Sequence, residues 1–388
     1  MPGDRNLFIH IPTAGDHYSP RTGSAAMSVI YKLSCEHAAR GGETRVVVGR
    51  GTCVGYPPYP VGTVVEADLP AWIPPRRKRA LDALAGRLFS RRPFTGGAYA
   101  PAADAIGPGS RATVFVHTVA PAVPYLRRLL PDVRICLYIH NQVLGRYGRR
   151  EMESLLRACD VVIGVSKFIA DDFESRLGRR DGKVRYLLNG VDTEQFSPGP
   201  CANREGIPTI AFVGRVLPVK GVDLLFRAAV LLAQQGLSFR VRIVGSENNS
   251  ATATLSDYER SLREIAEPLK GMVDFQPCVS RERVPNEYRR ADILCVPSTW
   301  DEPCPLALLE GMASGLPIVA SRRGGIPELG GDSVLYFDPP DVEALAGHLA
   351  MLISDGPARA EWGAKSRKKA LASTWAVRYT QLLDVLEG

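Results

Sequence analysis

No run in this 388-residue chain approaches the ~18–20 consecutive apolar residues that a membrane-spanning helix needs. The N-terminal stretch MPGDRNLFIHIPTAG has no basic segment leading into a long apolar one, so no signal peptide is expected there. None of the eight cysteines (Cys35, Cys53, Cys136, Cys159, Cys201, Cys278, Cys295 and Cys304) belongs to a Cys-x-x-Cys pair, and histidines do not cluster with them. That spacing argues against zinc. Several of these cysteines lie inside apolar runs such as RICLYI and DILCVPS, where a reduced thiol is a small core group. A reducing, cytoplasmic compartment is expected. No Gly-x-Gly-x-x-Gly follows the first apolar run, which speaks against NAD. Nucleic-acid modules and aromatic–basic interleaving are missing, as are internal repeats and low-complexity tracts. No Asp-x-Asp pair reads as a metal site, since Asp171-Asp172 sits in a helical pattern as a solvated face. No cofactor and no bound metal are expected.

What is present is the balance of a soluble globular chain, 45% hydrophobic and 23% charged. The net charge of +7 suits anionic partners without choosing among them. Short apolar runs alternate with helical patterns from end to end. In the first half the strand candidates are NLFIHIP, TRVVVG, ATVFVHT, VRICLYIH, DVVIGVS and KVRYLL. In the second they are TIAFVG, FRVRIVG, MVDFQPC, DILCVPS, LPIVAS and VLYF. Most are continuously apolar, as parallel strands covered on both faces must be. The fold class is therefore α/β, with two doubly wound, Rossmann-like domains. The linker is placed at FSPGPCANREGIP, residues 196–208. Residues 1–203 form the expected first domain and 204–375 the second, with a C-terminal helix at 376–388 packing back on the first. Ligands sit at the carboxyl ends of such strands, so facing sheets predict one deep cleft. Residues 50–111, rich in Pro and Gly, read as a long, partly irregular insertion.

Three stretches of the second half carry chemistry. In FVGRVLPVKG a strand ends at Gly214 and the cations Arg215 and Lys220 follow before a helix begins near Val222. Two cations at a strand-to-helix junction suit a diphosphate, though an ordinary turn with solvated charges gives the same pattern. In VPSTWDEPCPLALLEGMASG, Glu302 precedes a helix that Pro305 can open, and Glu310 lies further along it. Free amides at that helix start can bind an anion, and a carboxylate can accept hydrogen bonds from sugar hydroxyls. The plainer alternative makes Glu302 a dipole partner and Glu310 a surface acid. An acid amid LALLEGMASG usually has a partner, however. In RRGGIPEL, Gly324 and Gly325 allow close approach of backbone to a ligand.

Taken in order, GRVLPVKG, SRERVPNEYRRADILCVPS, the Glu-x7-Glu stretch EPCPLALLE and GMASGLPIVASRRGGIPE resemble the second domain of family 4 glycosyltransferases. VSKFIADDF, LLNGVDTEQFSP and a histidine ending an internal strand, His140, resemble its first domain. The likeness spans residues 133–375 and is weak over 50–111. It implies the GT-B fold and a retaining transfer from a nucleotide diphosphate sugar to an acceptor hydroxyl, with UDP the family's commonest donor nucleotide and GDP and ADP also open. By the same resemblance Arg215 and Lys220 neutralise the diphosphate and Glu310 holds the ribose. Glu302 contacts the transferred sugar, with backbone around Cys304, Pro305 and Leu306 near sugar and phosphate. His140 approaches the sugar, often at its 6-position, and Gly23 with Ser24 approaches the phosphate. The family has two glycines where this chain has Gly23-Ser24. Ser166 is a further candidate.

The implied mechanism is metal-independent, with cations and a helix start absorbing the leaving charge. A retaining glycosidase would use paired carboxylates, but here Glu302 and Glu310 hold hydroxyls. His140 has a structural alternative as a satisfied strand-end histidine. His10 and His117 also end apolar strands and are read as structural. On the acceptor side, Asp16, His17 and Arg21 either line a pocket or belong to an ordered surface loop. The acceptor is a glycan, a glycolipid or a small metabolite. Residues 76–92 carry seven cations and one acid with Leu81, Leu84, Leu88 and Phe89 on one helical face. Such a helix either lies peripherally on the inner membrane face or packs its leucines inward. A nucleotide-sugar epimerase and a non-catalytic sugar-nucleotide binder are the alternatives of similar fold. Nucleic acid is not an expected partner.

Overall fold

The computed structural model describes residues 6–21, 24–70, 74–199, 206–247 and 254–387. The chain divides into two compact units, residues 1–188 with 378–388, and residues 189–377. Among the described residues, the first unit holds β1 (Leu7–Ile11), β2 (Glu43–Gly49), β3 (Thr63–Ala67), β4 (Thr113–His117), β5 (Arg134–Ile139), β6 (Val161–Gly164) and β7 (Val184–Tyr186). They form one parallel sheet in the order β3-β2-β1-β4-β5-β6-β7. The second unit repeats the plan with β8 (Thr209–Val213), β9 (Arg240–Val244), β10 (Val273–Gln276), β11 (Ile293–Val296), β12 (Ile318–Ser321) and β13 (Leu335–Phe337). Their order is β10-β9-β8-β11-β12-β13, again all parallel. The central strands β4, β5, β6, β11 and β12 are buried along nearly their whole length, as their continuous apolar runs require. Each sheet reverses direction beside its first strand, between β1 and β4 and between β8 and β11. That reversal is where doubly wound folds bind ligands.

The expected insertion at 50–111 is more regular than its composition suggests. It contributes β3 at the sheet edge, pairing Arg45–Gly49 with Thr63–Ala67, and then the helices Arg76–Phe89, Pro93–Gly96 and Pro101–Ile106. β3 escapes notice because it is short, half exposed and flanked by Gly and Pro.

The unit boundary also falls earlier than 203/204. Residues 189–199 go with the second unit because they are tied into it: Asn189 Nδ2 donates to the Cys304 carbonyl at 2.9 Å, and Phe196 meets the Tyr288 ring edge-on at 5.8 Å. Arg367 also donates to the carbonyl oxygens of Thr193 and Phe196. The last helix, Trp375–Glu387, begins in the second unit and crosses to the first from Arg378 onward. There Tyr379 is buried, with its hydroxyl 2.5 Å from His37 Nδ1 and Arg40 over its ring.

The Arg76–Phe89 helix reverses the inward-packing alternative. Leu81, Leu84, Leu88 and Phe89 are 51–71% exposed, whereas Asp82 and Gly86 are buried. The cause is Asp82, whose carboxylate accepts hydrogen bonds from the Phe94 and Thr95 amides, each at 2.8 Å, and from the Thr95 hydroxyl. Capping the next helix turns the acid inward and the leucines outward. No helix among the described residues is long and apolar enough to cross a membrane. No two of the described cysteines are joined in a disulfide, and burial pushes the thiols of Cys136 and Cys295 well up and that of Cys159 up to about 12. Cys201 lies outside the described residues.

Candidate functional site

A polar cluster of the second unit stands at the β8/β11 reversal. After β8, Arg215 is exposed, and its Nε donates to the Glu247 carbonyl at 3.1 Å. A single 3₁₀ turn, Pro218–Lys220, then leads into the Val222–Gln234 helix. Gly221 makes the junction with φ of +69°, and a Cβ there would lie 2.0 Å from the Pro297 carbonyl oxygen. Only glycine lets the Lys220 turn sit this close to the end of β11. The consequence is contact between the two stretches: Lys220 Nζ lies 2.6 Å from Glu302 Oε1 and 5.4 Å from the centre of the Trp300 ring. The Ser298 hydroxyl donates to the same Glu302 oxygen at 2.6 Å. Glu302 is thus a buried carboxylate that is both ion-paired and hydrogen-bonded, the condition for keeping such a charge inside.

The backbone around Glu302 is fixed from two sides. The Gly325 amide donates to the Glu302 carbonyl at 2.7 Å, and a Cβ on Gly324 (φ +53°) would come within 2.3 Å of that oxygen. This close approach packs the glycine loop against Glu302. On the other side Asn189 donates its amide to Cys304 Sγ at 3.3 Å and its side chain to the Cys304 carbonyl. Pro305 stands one place earlier than expected, as the N-cap of the Leu306–Ala313 helix. With no N–H of its own it offers nothing there, so the open donors are the amides from Leu306 onward.

Glu310 is buried in that helix and has its partners inside the protein. Arg281 pairs with Oε1, and the Tyr288 hydroxyl donates to Oε2 at 3.1 Å. Burial and the adjacent carboxylate push the Tyr288 phenol well up, so it remains a donor. This excludes the surface-acid alternative. A carboxylate has about four lone-pair sites, so two partners leave capacity for a diol.

In the first unit His140 follows β5 and is half-buried. Its Nε2 lies 2.7 Å from His117 Nδ1, and His117 Nε2 lies 2.8 Å from His10 Nδ1. His10 on β1 and His117 on β4 flank that sheet's own reversal. Burial holds His10 down at about 3 and His140 at about 4, with His117 well below its usual value. The imidazoles are neutral at pH 7.

Ser24 is the N-cap of the Ala25–Ala38 helix, its oxygen accepting from the Met27 amide at 3.4 Å. Gly23 lies outside the described residues. Ser166 likewise caps the Lys167–Leu177 helix, accepting from Ile169 at 3.3 Å. Asp16 is half-buried beside the Ser24 hydroxyl, and burial raises its carboxyl. His17 Nδ1 meets the Thr52 carbonyl, Ser19 donates to the Pro57 carbonyl at 2.7 Å and Tyr18 to that of Val61 at 2.6 Å. Residues 13–21 are therefore an ordered loop anchored on 52–61, with Arg21 exposed. Asp171 and Asp172 pair along their helix with Lys167 and Arg176.

Sequence reasoning missed Ser298, Asn189, Arg281, Tyr288, His10 and His117. Asn189 and Ser298 were present in quoted stretches, but nothing local distinguishes their roles. Comparison with known proteins covers both units. The family model described as "Glycosyl transferases group 1" matches residues 196–369, and that described as "Glycosyltransferase Family 4" matches residues 27–195. The GDP-mannose-dependent alpha-(1-6)-phosphatidylinositol monomannoside mannosyltransferase of Mycolicibacterium smegmatis is 30% identical over 310 residues, 73% of this chain and 78% of that protein. The D-inositol 3-phosphate glycosyltransferase of Nocardiopsis dassonvillei is 31% identical over 252 residues, 61% of this chain and 57% of that protein. Among solved structures, a sucrose-phosphate synthase from Thermosynechococcus elongatus has a TM-score of 0.73 at 19% identity, covering 98% of each chain. Anabaena HepE in complex with UDP and glucose has a TM-score of 0.70 at 16% identity, covering 98% of this chain and 99% of that one. These last two likenesses show the fold.

Proposed function

The chain belongs to the group 1, family 4 glycosyltransferases of GT-B fold, and we propose that it moves a sugar from a UDP-sugar to an acceptor hydroxyl with retention and without a metal. The observation that carries this is the cluster of Lys220, Glu302 and Ser298 at the β8/β11 reversal, with Arg215 at the same strand end. As the glycosidic bond breaks, the anomeric carbon becomes cationic and the diphosphate gains charge. Lys220 and Arg215 neutralise that charge, assisted by the amides from Leu306 onward. Lys220 has three N–H donors, so it serves a phosphate while still paired to Glu302. Glu302 and the backbone at Cys304 hold hydroxyls of the sugar, Glu310 holds the ribose, and His140 takes a further sugar hydroxyl. Gly23 and Ser24 approach the phosphate, and Asp16, His17 and Arg21 bound the acceptor.

The engagement of both acids supports a route that uses no carboxylate nucleophile. Glu302 is paired to a cation, and Glu310 is held by Arg281 and Tyr288. The front-face route has the leaving phosphate take the acceptor proton.

UDP is the ligand in the HepE structure, and GDP-mannose, named for the mycobacterial relative, is the second reading of the donor. Thermal shift separates them. A nucleotide at a hundred times its Kd stabilises by about 2.7 kcal/mol, and UDP is expected to move Tm by several degrees where GDP does not. A larger shift with GDP selects the second reading, and no shift with any nucleoside diphosphate removes the donor assignment. Turnover is expected to survive EDTA, and loss of activity there would end the metal-independent mechanism.

The Arg76–Phe89 helix adds a peripheral contact with an anionic membrane. Arg76, Arg77, Lys78 and Arg79 are exposed together with the outward leucines and Phe89. Apolar insertion beside basic side chains matches an anionic lipid surface. Each cation near such a surface contributes about 1 kcal/mol, so replacing those four with alanine is expected to cut sedimentation with phosphatidylglycerol vesicles more than about tenfold. Equal sedimentation of variant and wild type would remove this contact.

A further inference from the structure

The histidines at the ends of β1, β4 and β5 make a continuous chain, and its polarity has a chemical consequence. A neutral imidazole has one N–H and one lone pair, so each link needs a donor on one ring and an acceptor on the next. His117 uses both nitrogens, Nε2 to His10 at 2.8 Å and Nδ1 to His140 at 2.7 Å. Two arrangements satisfy both links, with every proton on Nδ1 or every proton on Nε2. The far end decides between them. His10 Nε2 is buried and has no hydrogen-bond partner. With protons on Nδ1 that atom is a bare lone pair. With protons on Nε2 it would be an orphaned buried N–H, the rarer and costlier state.

We propose that His10 and His117 are positioning residues that lock His140 in the neutral Nδ1–H tautomer, so that it presents a hydrogen-bond donor to the sugar. Nε2 of His140 is occupied by the link, which leaves Nδ1 as the nitrogen that meets a ligand. Free histidine prefers the opposite tautomer, so the lock makes a donor where an isolated ring would offer a lone pair. The chain is not a proton conduit, because it ends blind at His10. Its geometry is held rigidly. The His117 and His140 rings lie within 13° of parallel, and Tyr138 stacks on His140 at 4.5 Å. Thr118, next in sequence to His117, has φ of +66°, an outlier for a β-branched residue. Its hydroxyl accepts from the His140 amide at 3.3 Å and its amide donates to the Tyr138 carbonyl at 2.8 Å. Strain of this kind persists where surrounding contacts over-determine a position. The lowered pKa values of all three rings keep the chain neutral at working pH.

The inference rests on the proposed role of His140 at the sugar, and the test reads the lock independently of it. Long-range ¹H–¹⁵N spectra of histidine-labelled full-length protein at pH 7 are expected to show His140 protonated at Nδ1 and bare at Nε2. His117→Phe keeps a flat ring but removes both links, and His140 then shifts toward Nε2–H. His117→Asn places an amide N–H where Nδ1–H stood and restores the Nδ1–H form. If His117→Phe fails to fold, the smaller His117→Leu removes the same two links. Where the tautomer shifts, kcat is expected to fall roughly 10–100-fold with donor KM nearly constant, the scale on which supporting hydrogen bonds act. Asn, but not Phe, at 117 recovers it. A wild-type His140 that is Nε2-protonated or charged at pH 7, or one unmoved by His117→Phe or, where that variant does not fold, by His117→Leu, overturns the lock. A tautomer that shifts as described with kcat unchanged leaves the lock standing and removes His140 from the reaction.

Discussion

Lys220→Met is expected to lower kcat roughly 10²–10³-fold, the cost of removing one preorganised group from a developing anion. Two effects contribute and they separate experimentally. The first is chemical: the leaving diphosphate loses its nearest point charge. The second is structural, because Glu302 is buried and its partner is gone. Breaking a buried pair costs about 3–5 kcal/mol, and the partial exposure of Lys220 puts this case at the low end. Lys220→Met with Glu302→Gln removes both charges and leaves Ser298 a carbonyl to donate to. Unfolding in urea is expected to show most of the lost stability recovered in the double variant. Turnover is expected to stay low. If kcat recovers together with stability, Lys220 is a structural cation and the leaving-group role belongs elsewhere.

The same pair shows what could and could not be read from residues alone. Lys220 and Glu302 each announce themselves, one before a helix after an apolar strand, the other in an acid-proline stretch before a second helix. Their mutual contact does not. It depends on β8 and β11 being neighbours and on Gly221 clearing the Pro297 carbonyl, both properties of the folded sheet. Strands were legible because parallel strands buried on both faces must be continuously apolar, and β3 was not because an edge strand need not be. Glu310 was legible as a partnered acid because charge inside an apolar helix demands compensation. Its partners Arg281 and Tyr288 lie on other elements and had no local signal. The direction of the leucines of the Arg76–Phe89 helix stayed open for a related reason. Hydrophobic spacing fixes which residues share a face, while Asp82 and its hydrogen bonds to Thr95 fix where that face points. His10 and His117 carried no signal beyond standing at strand ends, and only the sheet order β1-β4-β5 joins them to His140.

That joined chain makes the first unit acid-sensitive. Burial lowers His10 to about 3, His140 to about 4, and His117 and His37 below their usual value. In the unfolded chain all of them titrate near 6.5. As pH falls, the unfolded state therefore takes up protons that the native state refuses, and stability drops. It is complete above about pH 6.5 and is lost through the window from there toward 4. For the three linked rings the slope approaches about 4 kcal/mol per pH unit, so between pH 6 and pH 5 roughly 3–4 kcal/mol disappears. Asp16 acts in the opposite sense, since its raised carboxyl binds a proton in the native state first, but it is one half-buried group against several. Most carboxylates titrate nearer 4, so a loss centred between pH 6.5 and 5 belongs to histidine. Urea unfolding at pH 7.5, 6.5 and 5.5, monitored on the first unit, is expected to show the midpoint falling steeply over the last interval. His10→Phe combined with His117→Phe removes two of the refused protons and flattens the dependence by about two-thirds of the chain's share. An unchanged slope in that variant would mean that the rings accept protons in the native state, and neutrality of His140 at working pH would no longer follow from its burial.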